Sequence, residues 1–126
     1  MKKIVFAIVI TLCFSCKKEW FDYRNRYAGK FEFTVHYAFY TMSDGVSVDT
    51  TYIYNGKVEK IKDKKMKIIF GARENDYREV LVDKEGHFSE GYMGGSFSDK
   101  NNVEFTMNTG GLGGGGSYHI IGKRID

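Results

Sequence analysis

Few side chains in this chain of 126 residues have the type and spacing to do chemistry, and Cys16 leads them. Its thiol follows an apolar run from Ile4 to Phe14 that is itself preceded by Lys2 and Lys3. Two lysines, an apolar stretch and the small residue Ser15 are the three parts of an export signal, with cleavage expected before Cys16. The apolar run is about half of the ~20 residues that a membrane-spanning helix requires. A cysteine at such a junction would become the first residue of the exported chain, and its sulfur is a nucleophile available for modification.

The other reactive groups are dispersed. His36, His87 and His119 lie far apart in sequence, with no HExxH motif and no cysteine pairs. A zinc site normally takes three or four protein ligands, so no metal site and no cofactor are expected. The stretch from Gly111 to Gly116 formally contains GxGxxG. A dinucleotide fingerprint also needs a helix after the glycines and an acid about 20 residues further on, and the chain ends too soon for that. No GxSxG is present, and no carboxylate pair stands out. The chain is therefore expected not to be an enzyme.

Leu12-Cys13-Phe14-Ser15-Cys16 resembles the lipobox of bacterial lipoproteins, and its form is similar to those of the Bacteroidota. Cys13 stands where that pattern usually has an aliphatic residue. The resemblance implies diacylglycerol on the Cys16 thiol, palmitate-type acylation and attachment to the membrane through that lipid. Because position 17 is Lys rather than Asp, it also implies the outer membrane. Two or three acyl chains hold far more firmly than one, since each buried methylene contributes about 0.8 kcal/mol.

Three segments follow. Residues 1–15 are the lipoprotein signal peptide. Residues 16–27 are the lipidated cysteine with a short tether or helix, where Trp20, Tyr23 and Tyr27 recur at helical spacing. Residues 28–126 are a single domain. The net charge of +3 falls by two when Lys2 and Lys3 leave, so the charge gives no footprint for nucleic acid. The one lysine cluster, from Lys57 to Lys67, is interrupted by Glu59 and Asp63 and surrounds an expected turn at Asp63-Lys64. No disulfide is available, because Cys13 leaves with the signal and Cys16 would be a thioether. Packing alone must hold the domain.

The elements that must do this are strands. Proline is absent, while 15 glycines, 10 phenylalanines and 9 tyrosines suit strands joined by glycine turns. Phe31, Phe33, Val35, Tyr37 and Phe39 alternate with Glu32, Thr34, His36, Ala38 and Tyr40, which predicts a long strand over 30–42 with one buried face. Val46 to Tyr54 alternates again. Asn55-Gly56 is the pair best suited to a type I′ hairpin turn, and predicts a return strand through Val58 and Ile61. Met66–Phe70, Tyr77–Val82, a glycine-interrupted stretch from Phe88, Val103–Met107 and Tyr118–Ile125 follow, with a loop over Gly110–Gly116. The fold class is all-β: an antiparallel up-and-down meander of about eight strands, closed or nearly closed into a barrel, with a two-layer sandwich as the alternative. Tyr40, Ile53 and Phe97 are expected on the face away from the core. The opening Tyr27-Ala28-Gly29-Lys30-Phe31 is similar to the first strand of lipocalin-like barrels.

Two functions fit this frame, ahead of a hydrolase as the third alternative. The first is a lipid-anchored, non-enzymatic envelope protein whose barrel binds a partner protein or braces an assembly. Its tether from Lys17 to Tyr27 would reach roughly 36 Å at ~3.3 Å per residue. The second is a lipocalin-like carrier holding a small apolar ligand inside the barrel, lined by Phe33, Val35, Tyr52, Ile68 and Phe105.

Overall fold

A computed structural model of the chain describes residues 22–43, 45–111 and 113–126, with the side chain of Val46 left aside. The signal segment, Cys16 and Trp20 lie outside the described residues. Among the described residues a single 3-10 turn, Tyr23–Arg26, precedes eight strands: β1 (Gly29–Thr41), β2 (Gly45–Lys60), β3 (Lys65–Ile69), β4 (Tyr77–Leu81), β5 (His87–Glu90), β6 (Met93–Asp99), β7 (Asn102–Gly111) and β8 (Gly114–Arg124). Every pairing is antiparallel, and the order is β4-β3-β2-β1-β8-β7-β6-β5. The first and last strands are thus joined along their length. The barrel is nearly closed, with its seam between β4 and β5.

That seam has two different ends. At the β4–β5 turn, the Asp83 N–H donates to the His87 carbonyl (2.9 Å). Further along, β4 and β5 form no ladder. The strands also differ in length. Only Lys57–Lys60 of β2 pair with β3, so residues 45–56 of β2 pair with β1 alone among the described strands. β2, β1, β8 and β7 therefore rise beyond the closed part of the barrel as a four-stranded apron.

The alternation in β1 does what its aromatics predict. Phe31, Phe33 and Val35 are fully buried and meet Met66, Ile68, Phe70, Phe105 and Ile120 in one continuous core. Phe70 and Phe105 pack edge to face at 5.7 Å, and Phe31 lies 5.9 Å from Phe33. With no buried polar or charged residue among the described ones, dispersion and apolar burial hold the fold.

Four local expectations are corrected. Asn55-Gly56 is not a turn: β2 runs straight through it, and Gly56 keeps an extended backbone rather than the positive φ of a type I′ turn. The glycine instead takes an inward position, opposite Phe31, where a Cβ would come 1.9 Å from the Ile69 carbonyl oxygen. Gly110–Gly116 is not a loop but the end of a hairpin, with Gly110 paired to Gly115 and Gly111 to Gly114. The stretch from Phe88 holds two strands, β5 and β6, because Gly91 takes a positive φ (57°) and turns the chain. One hairpin too many and one too few leave the count at eight. Phe97 faces inward at 2% exposure, whereas Tyr40 and Ile53 are 52% and 65% exposed. Phe97 keeps the inward phase of Met93 and Gly95, opposite Val103, and the bulge in β6 comes only after it, between Phe97 and Asp99.

The expected short N-terminal helix or turn is a 3-10 turn. Asp22 caps it by accepting the Arg24 N–H (3.0 Å), and its carboxylate also takes the Arg24 guanidinium at 2.8 Å. Arg24 Nη1 in turn donates to the carbonyls of Ile61 (3.1 Å) and Lys65 (2.9 Å), clamping the β2–β3 turn. The hydrogen bond from Arg24 holds the Asp22 carboxyl down at about 2. A carboxylate depressed in the folded state stabilises it above its ordinary value of 3.8, and that contribution is lost as pH falls through about 2. The site is near solvent, so screening leaves on the order of 1 kcal/mol. Asp22→Asn should therefore lower stability by about 1 kcal/mol at neutral pH. In denaturant titrations the gap to the parent protein should close at the acid end of that window.

Candidate binding cleft at the barrel seam

Where β4 and β5 part, they leave an open cleft of about 620 Å³ lined by residues of β4, β5, β6 and β7. Its floor is Met93 and Met107, both buried. The ladder sets this: Met107 pairs with Met93 on one side and Tyr118 on the other, so all three face inward just where the apron leaves the closed barrel. Methionine is soft and unbranched, and adapts to varied apolar shapes.

The walls are polar. Asn75, Arg78 and Glu79 come from β4 and the loop before it, and Glu90, Tyr92 and Asn108 from the other side of the seam. Arg78 is opposite Ile68 in the ladder and so points inward. Its Nη1 donates to the carbonyls of Asn75 (2.9 Å) and Tyr77 (2.6 Å), and the guanidinium carbon is 5.9 Å from the Phe70 ring centre. Nε and Nη2 have no hydrogen-bond partner among the described residues, which leaves a fixed cationic fork at the edge of an apolar floor. Such a fork suits a carboxylate, sulfonate or phosphate oxygen.

The inner face of the apron continues the cleft with tyrosines. Tyr37 and Tyr118 are paired across β1 and β8 with ring centres 4.6 Å apart, and Tyr52 lies beside them opposite Val35. Burial pushes the Tyr52 and Tyr118 phenols above the ordinary value of 10.0, so both remain protonated hydrogen-bond donors at neutral pH.

The residues expected to line a ligand cavity sit deeper. Phe33, Val35, Ile68 and Phe105 are at most 1% exposed and pack against their neighbours in the core, while Tyr52 is half-buried at its edge. The barrel is filled at these positions, and the cleft of about 620 Å³ opens at the seam instead.

On the outside, the ladder sets His36 directly opposite His119. Each imidazole has its own carboxylate: His36 Nε2 meets Asp49 Oδ1 and His119 Nε2 meets Glu104 Oε1, both at 2.6 Å. The two pairs diverge across the sheet. Among the described residues no group of three or more His, Cys, Asp or Glu converges on a metal-sized site. These contacts brace four adjacent strands. His87 is remote from both, beside Asp83 at 3.7 Å.

The cleft escaped sequence reasoning because Arg78, Met93 and Met107 are each unremarkable in their own strands. Only the position of the seam brings them together. Scans against protein-family models, curated proteins and solved structures find no match to this chain.

Proposed function

We propose that this chain is a bacterial outer-membrane lipoprotein, attached through lipid on Cys16, whose barrel is a non-enzymatic binding module. It takes its ligand in the seam cleft rather than in the barrel interior. The observation that carries this reading is the contrast between a core filled at Phe33, Val35, Ile68 and Phe105 and an open, methionine-floored cleft edged by Arg78. A ligand matched to that cleft has an apolar body and an anionic or polar end. The lipocalin-like carrier reading would require the packed core side chains to separate, which the cleft does not.

Two measurements test the two halves of the proposal. Growth with a labelled fatty acid should mark the parent protein, and Cys16→Ala should lose both label and membrane retention. An uncut, unlabelled precursor held in the membrane would contradict lipid anchoring. The fluorescent probe 8-anilinonaphthalene-1-sulfonate has an aryl body and a sulfonate, and should bind the cleft. Arg78→Met should weaken that binding about tenfold, as loss of one charge-assisted contact does. Equal affinity in parent and variant would remove Arg78 from the site.

A further inference from the structure

The antiparallel order brings the β2–β3, β4–β5 and β6–β7 turns to one end of the barrel, together with Asp22 and Asp126. The contacts of the 3-10 turn seal that end. Tyr23 Oη donates to the Val82 carbonyl (2.6 Å), Tyr27 Oη to that of Lys84 (3.3 Å), and Arg124 to those of Lys100 (2.7 Å) and Arg26 (2.8 Å). The described chain begins at this end, with Asp22.

This end is basic. Lys60, Lys62, Lys64 and Lys65 surround the first turn, Lys84 is on the second and Lys100 on the third. The far side carries Glu74, Asp76, Glu79 and Glu90 against Arg73, Arg78 and Lys67, which stands opposite Glu79 in the ladder. Acids and bases are equal in number over residues 22–126, so the asymmetry is a charge dipole along the barrel rather than a net charge. The acids at the basic end are fewer than its bases: Asp63 and Glu85 are exposed beside the turn lysines, Asp83 is taken by His87, and three others are engaged. Asp22 is held by Arg24, Asp99 by the Asn101 N–H (2.7 Å) and the Asn102 amide, and Asp126 by the Lys30 N–H (3.0 Å). Lys62, Lys64 and Lys84 are exposed and have no ion-pair partner among the described residues.

Two further features point outward. A cleft of about 570 Å³ opens between the turns, lined by Arg26, Lys84 and Lys100 together with Glu85, Ser98 and Asp99, over a floor of Tyr27 and Phe97. In addition, Asp63 and Lys64 form the tip of a turn closed by the Lys65 N–H on the Lys62 carbonyl (3.3 Å), with φ of 62° and 61°. Glycine is the residue at ease there, and a side chain in that region costs roughly 1–2 kcal/mol. The tip nevertheless presents an ammonium group.

We propose that this end docks on the anionic surface of a membrane, with phosphate-bearing lipid headgroups against Lys62, Lys64, Lys84 and Lys100. The proposal deepens the tethering reading, since a tether from Cys16 reaches the barrel at this same end and leaves the seam cleft facing away from the bilayer. Attraction of this end to anionic headgroups needs no acyl chain on Cys16.

The test uses residues 17–126, which contain all eight strands and the whole described core and so carry the complete fold. Circular dichroism melts check each variant. The protein should cosediment with vesicles of phosphatidylcholine plus phosphatidylglycerol, not with phosphatidylcholine alone, and added salt should release it. Replacing Lys62, Lys64 and Lys84 together by Gln should weaken binding on the order of a hundredfold. Lys64→Gly should raise the melting temperature while lowering vesicle affinity, which separates the tip's charge from folding. Equal binding to neutral vesicles, no binding, or an unaffected triple variant would overturn the proposal. So would release by low concentrations of inorganic phosphate, which would identify a site for the free anion. None of these failures bears on fatty-acid labelling at Cys16 or on probe binding in the seam cleft.

Discussion

Gly56→Ala should destabilise the barrel by about 3 kcal/mol, the upper part of the range for overpacked sites. The added methyl would stand 1.9 Å from the Ile69 carbonyl oxygen and 3.0 Å from Phe33 Cε2. The oxygen belongs to the β3 backbone, which cannot step aside by changing a rotamer. Relief would have to come from moving β3 away from β2, and those strands share only the short ladder from Lys57 to Lys60. Urea titration followed by tryptophan-independent far-UV ellipticity measures the loss. A matched Gly111→Ala variant, whose Cβ would meet nothing within 4 Å, should stay within a few tenths of a kcal/mol of the parent protein.

Phe33→Ala should cost still more, about 4 kcal/mol. Its ring is fully buried and covers glycines on both neighbouring strands, Gly56 on β2 and Gly122 on β8. A Cβ on Gly122 would come 2.6 Å from Phe33 Cε1 and 2.7 Å from Val103 Cγ1. The ring thus fills volume that three strands leave empty. Without it, two glycines face a cavity and the surrounding strands can close over it only in part. A variant as stable as the parent would mean the interior collapses freely, contrary to a filled and rigid core. The size of the loss is read by the same urea titration.

Much of this architecture was legible because strand alternation is a direct record of which side chains go inside. Phe31, Phe33 and Val35, then Met66, Ile68 and Phe70, then Val103, Phe105 and Met107, are inward-facing in the barrel in the phase their spacing predicts. Glycine was the weak point. Asn55-Gly56 reads as a turn when only local dihedral preference is considered, yet Tyr52, Tyr54, Gly56 and Val58 keep one unbroken period of two. The small residue there answers to the crowding of Phe33 and Ile69, which come from other strands. The same limit hid the cleft. Arg78 is one charged residue in a short strand until the seam between β4 and β5 sets it beside Met93 and Met107. Adjacency of His36 and His119, by contrast, follows from the meander once its first and last strands meet, and the ladder places them opposite each other.

The location of the ligand is the point on which the functional account turns. Chemical shifts of methionine methyls and backbone amides, followed during titration with 8-anilinonaphthalene-1-sulfonate, test it most directly. Shifts are expected at Met93, Met107 and Arg78, with Phe33, Val35, Ile68 and Phe105 unmoved. Shifts concentrated on those four core residues, with the methionines silent, would contradict it and return the ligand to the barrel interior.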